Sequence, residues 1–90
     1  MLGPVENIPR IPAATLPSAV WQSFLTAPAE PGEYRAALCP GDVGPDMRRW
    51  WTGRYWSEPY SVWWSEETKA RCRATATLFM VYWQVPAKAH

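Results

Sequence analysis

The sequence predicts an α+β fold: a small antiparallel sheet of three to four strands, one packed helix and a short N-terminal helix. Three observations carry that expectation. The chain has 90 residues, which limits it to one domain with a core near the lower bound for independent stability. Within MRRWWTGRYWSEP, residues 47–59, a Thr52-Gly53 pair separates two aromatic runs, the arrangement of a β-hairpin. Ser65 then opens SEETKARCRATAT with a favoured helix cap, and Glu66 and Glu67 suit the positive end of the helix dipole.

Composition agrees with a small aromatic core. Five Leu, two Ile, six Val and two Phe make only 15 of 90 residues, a level at which disorder comes into question. Seven Trp and four Tyr make up for the aliphatic shortage. At roughly 200 Å² per buried Trp and ~25 cal/mol per Å², these rings supply on the order of 30 kcal/mol gross. Full disorder and an aliphatic helical bundle are both excluded. No run approaches the ~20 apolar residues that a membrane-spanning helix needs.

Residues 1–16 read as a proline-rich extended arm without regular structure, because each proline removes a donor and drives its predecessor out of the helical region. Residues 17–90 then form the single small domain. PSAVWQSFLT, 17–26, sets Val20, Trp21, Phe24 and Leu25 at helical spacing and predicts a short amphipathic helix. EYRAALC alternates Tyr34, Ala36 and Leu38 with Arg35, Ala37 and Cys39, a first strand. PGDVGPD, 40–46, is a loop.

With a two-residue turn at Thr52-Gly53, Trp51 faces Arg54, Trp50 faces Tyr55, and Arg49 faces Trp56; a four-residue loop shifts the register. Arg49, Trp51, Arg54 and Trp56 then share one face, and Arg48, Trp50, Tyr55 and Ser57 the other. The helix 65–77 offers a small apolar face of Ala70, Ala74 and Cys72. LFMVYWQV, 78–85, reads as a strand buried on much of both faces, with Phe79, Val81, Trp83 and Val85 on one side.

Charge is uneven. Residues 1–46 carry Arg10 and Arg35 against Glu6, Glu30, Glu33, Asp42 and Asp46, while residues 47–73 hold six cations against Glu58, Glu66 and Glu67. Packing of one half on the other is the expected outcome, and an acidic partner the alternative. Cys39 and Cys72 are too few for a disulfide framework. Prolines 4, 9, 12 and 17 interrupt any secretory signal, so a cytoplasmic setting is expected.

Enzyme signatures are absent from the pattern. The one histidine, His90, ends the chain, no glycine-rich phosphate loop occurs, and no ligand spacing suggests a metal or cofactor. Trp, Tyr and Arg dominate binding hot spots, and seven Trp exceed what so small a core encloses. Two or three rings among Trp50, Trp51, Trp56, Trp63 and Trp64 are therefore expected at the surface. The plain alternative is that these rings are the core and the arginines stack on them.

PGEYRA, a loop, and then RRWWTGRYWSEP resemble small uncharacterised proteins of tailed bacteriophages and prophages. The matching positions are Trp50, Trp51, Gly53, Trp56, Ser57 and Pro59, within residues 31–85. The resemblance implies a small α+β unit made in the host cytoplasm during infection, and no activity. The resulting expectation is a non-enzymatic accessory protein that binds a host or phage protein, inhibition being one form. Its surface would be Arg49, Trp50, Trp51, Arg54, Tyr55, Trp56, Trp63 and Trp64. The alternatives are single-stranded nucleic-acid binding, which near-neutral charge disfavours, carbohydrate stacking, or a virion structural or assembly role.

Overall fold

The computed structural model describes residues 8–12 and 20–85. Eight short strands and one helix follow in the order β1 (Arg10–Ile11), β2 (Trp21–Gln22), β3 (Ala27–Pro28), β4 (Gly32–Tyr34), β5 (Ala36–Ala37), β6 (Met47–Trp51), β7 (Tyr60–Ser61), α1 (Glu66–Arg73) and β8 (Tyr82–Gln84). The fold is a small α+β unit. One three-stranded sheet runs β4-β6-β7 and a second runs β2-β8-β5, all antiparallel, while β1 and β3 pair in parallel. Arg35 alone separates β4 from β5, so the segment from Gly32 to Ala37 hands the chain from one sheet to the other.

The core lies where the sheets meet. Tyr34 presents its ring edge-on to both Trp56, at 5.9 Å between centroids, and Trp83, at 5.8 Å. Its hydroxyl donates to the Glu30 carbonyl at 2.8 Å, which satisfies the polar tip of a buried aromatic. Ala27 and Ala36 sit among Trp51, Trp56, Trp83, Val81 and Val85. Small side chains between indoles let the strands approach closely, so aromatic area substitutes for aliphatic volume. Trp83 is fully buried and donates through Nε1 to the Thr26 carbonyl at 3.1 Å.

The expected N-terminal helix is not what residues 20–26 form; residues 17–19 lie outside the described residues. Trp21 and Gln22 instead pair with Gln84 and Trp83 of β8. Ser23 diverts the chain: its side chain accepts from Leu25 N at 3.0 Å, and its carbonyl accepts from Thr26 N at 3.1 Å. Such local hydrogen bonds compete with a helix. Within the arm, residues 8–12 contain β1 and pack Ile8 and Ile11 on the core. The Pro9 and Ile11 carbonyls accept from Ala27 N and Ala29 N, both at 3.0 Å. Proline lacks a donor but keeps its acceptor.

The helix begins as expected, with Ser65 Oγ accepting from Thr68 N at 3.2 Å. It stops at Arg73 rather than at 77, because Ala76 bridges Ser57 and Thr77 N donates to the Trp56 carbonyl at 2.7 Å. Its expected apolar face is also displaced: Ala70 and Ala74 are exposed and only Cys72 is half-buried. Thr68, Lys69 and Arg73 share that half-buried status, so longer stems cover the sheet. Cys39 and Cys72 are free thiols. In the last segment Val81, Trp83 and Val85 are buried as the alternation predicts, but residues 78–80 form no strand and are exposed.

Candidate functional site

The hairpin closes through a four-residue loop. Thr52 N donates to the Tyr55 carbonyl at 3.1 Å, and Thr52 Oγ1 accepts from Arg54 N and Tyr55 N, each at 3.1 Å. The threonine hydroxyl thus organises the turn, and Gly53 supplies a φ of 101°. Trp51 consequently pairs with Trp56, not Arg54, and their ring centroids lie 5.1 Å apart. Ser57, not Tyr55, meets Trp50: Ser57 N donates to the Trp50 carbonyl and Trp50 N donates to Ser57 Oγ, both at 2.9 Å.

Of the eight residues expected at a binding surface, the structure gathers Trp51, Arg54, Tyr55 and Trp56 along one groove. Trp51 and Trp56 are buried, at 1% and 8% exposure, so they form its wall rather than an open face. Arg49 is buried also. It donates to the Ser57 carbonyl at 3.0 Å and to Thr77 Oγ1, whose hydroxyl donates to that same carbonyl at 2.8 Å. Burial lowers the Arg49 pKa from its usual value, with Glu58 opposing the effect.

Trp50 faces elsewhere. The Arg73 guanidinium sits 5.3 Å from its ring and 4.9 Å from that of Tyr60. Glu33 accepts from the Tyr60 hydroxyl at 2.7 Å and from Arg73 at 3.4 Å. This ion pair joins the acidic first half of the chain to its basic second half. Burial pushes the Tyr60 pKa up to about 12, with Glu33 adding to the rise and Arg73 opposing it. Trp63 and Trp64 lie in the turn before α1, at 80% and 44% exposure, outside the groove.

The groove encloses about 990 Å³. Leu25, from the turn after β2, and Leu78, Phe79 and Met80, from the approach to β8, line it together with the hairpin. Their exposures are 64%, 67%, 73% and 59%. An apolar cluster of that kind is costly to leave in water and characterises interaction surfaces. Among the described residues, no backbone hydrogen bond engages residues 78–80.

Sequence reasoning placed Leu25 on the expected helix and Leu78, Phe79 and Met80 in the expected last strand, none of them at the binding surface. A usable signal was the LFM run itself: one helix in so small a domain cannot cover both faces of a strand that carries it. Among the described residues, no three His, Cys, Asp or Glu side chains gather as metal ligands, and no helix is long and apolar enough to cross a membrane. No family model, curated protein or solved structure matches the chain.

Proposed function

We propose that this chain is a non-enzymatic binding module that engages a protein partner through the apolar groove. The observation that carries the reading is the exposure of Leu78, Phe79 and Met80 beside a groove walled by Trp51 and Trp56. Interfaces bury an apolar core enriched in aromatic side chains and Met, and Trp, Tyr and Arg dominate their hot spots. The groove also gathers Trp51, Arg54, Tyr55 and Trp56, half of the surface expected from the sequence. The resemblance to tailed-phage proteins supports a partner among host or phage proteins in the host cytoplasm, with the chain acting as an accessory protein.

The test is capture of a partner from host lysate by the wild-type chain and two variants. Phe79→Ser with Met80→Ser should abolish capture without altering the fold, because both side chains are exposed. Trp63→Ser, outside the groove, should leave capture intact. The reverse pattern would reject the groove and favour the turn before α1.

A further inference from the structure

Resting on that reading of the groove, we infer that its partner is an apolar peptide segment flanked by acidic residues, whose carboxylates meet Arg54 and the Tyr55 hydroxyl beside it. The side-chain polar atoms that the groove wall leaves uncommitted are hydrogen-bond donors or can act as donors. Among the described residues, Arg54 is the one charged residue in the wall. Among the described residues it has no carboxylate partner, the ion pairs being Lys69–Glu66 and Arg73–Glu33. The neighbouring Tyr55 hydroxyl makes no hydrogen bond to another described residue and stands at a partly exposed position. A guanidinium only donates, and a phenol hydroxyl can. A ligand matched to this wall therefore brings acceptors, and carboxylates are the ones that also neutralise Arg54.

A second cation lies close by. The Arg10 guanidinium stacks 5.4 Å from the Trp51 ring and also lacks an ion-pair partner among the described residues. Positive charge at Arg54 favours negative charge in what the groove receives. The same charge disfavours a second copy of the chain as the occupant. A two-fold interface sets each patch against itself, and among the described residues the groove wall holds no carboxylate to receive the partner copy's Arg54.

The groove's form favours a chain segment over a small amphiphile. Phe79 and Leu78 stand well out of the surface, leaving the groove open rather than closed over. The backbone of residues 78–80 also has its donors and acceptors uncommitted to other described backbone. An extended peptide can use those groups as main-chain partners while its alternate side chains enter the groove. A fatty acid has an acceptor head but nothing to offer them.

The test is titration of the full chain, at low and high salt, with a synthetic peptide alternating Leu and Phe and ending in paired Glu. A Glu→Gln peptide and dodecanoate are the comparison probes. The acidic peptide should bind, and should weaken about tenfold on Glu→Gln replacement, on Arg54→Glu, and with added salt, as loss of a charge-assisted contact predicts. Equal binding of both peptides, abolished by Phe79→Ser, would overturn the acidic requirement while leaving the groove reading intact. Binding of dodecanoate but neither peptide would overturn the peptide assignment. Binding unaffected by Phe79→Ser would overturn the groove reading and this inference with it.

Discussion

Arg73 holds its guanidinium 4.9 Å from the centre of the Tyr60 ring. The contact joins the end of α1 to β7, and through Glu33 to β4, so one side chain fixes the helix against two strands. Arg73 also stacks on Trp50, which as the strand neighbour of Trp51 faces away from the groove. Arg73→Met keeps much of the stem packing but loses the cation. It should cost about 1–2 kcal/mol, the range of a partly desolvated cation–π contact with a modest ion pair. Denaturant unfolding measures the loss.

Tyr60 makes the fold sensitive to alkali. Its pKa rises to about 12 in the folded chain from an ordinary value of 10.0, chiefly through burial. The unfolded chain therefore releases this proton first. Stability from the neutral phenol is complete below pH 10 and declines as pH rises towards 12. Tyr34, raised by burial and by Glu30, acts in the same direction. Unfolding midpoints measured up to high pH should fall over this interval. Tyr60→Phe should flatten part of that fall.

Ser57 is a structural hydroxyl with no exposure. It accepts from Trp50 N and donates to the Glu58 carbonyl, both at 2.9 Å. Ser57→Ala removes the acceptor and leaves a backbone donor unmet. The expected loss is about 1–3 kcal/mol, read as a lowered unfolding midpoint together with faster hydrogen exchange at the Trp50 amide.

At Gly53 the φ of 101° favours glycine. A Cβ there would meet nothing nearer than Pro31 Cγ at 3.8 Å, so space is adequate and backbone conformation alone resists substitution. Gly53→Ala should cost about 1–2 kcal/mol. Because the Trp51–Trp56 pairing depends on this loop, the same variant should perturb indole fluorescence.

The hairpin and α1 were legible because their signals are local. Gly53 marks a turn wherever it sits, and Ser65 caps a helix with its own neighbours. The loop length was not, since the Thr52 hydroxyl commits to Arg54 N and Tyr55 N only once the turn has formed. The expected helix at 17–26 failed in its described part because β8 offered Trp21 and Gln22 a strand to pair with, a partner about sixty residues away. Similarly, alternation predicted the buried side of Val81, Trp83 and Val85 correctly. It could not reveal that nothing among the described residues covers Phe79 and its neighbours. The aromatic surplus was visible as composition, but its division was not: Trp51 and Trp56 went inward, Trp50 under Arg73, and Trp63 and Trp64 outward.

The central claim is that the groove between the hairpin and residues 78–80 is the surface a partner covers. Amide and indole NMR shifts on adding the acidic Leu/Phe peptide to the full chain test it most directly. The account predicts that the Trp51 indole N–H and the Leu78, Phe79 and Met80 amides move, while the Trp63 and Trp64 indoles stay fixed. Shifts centred on Trp63 and Trp64, or none at residues 78–80, would contradict it.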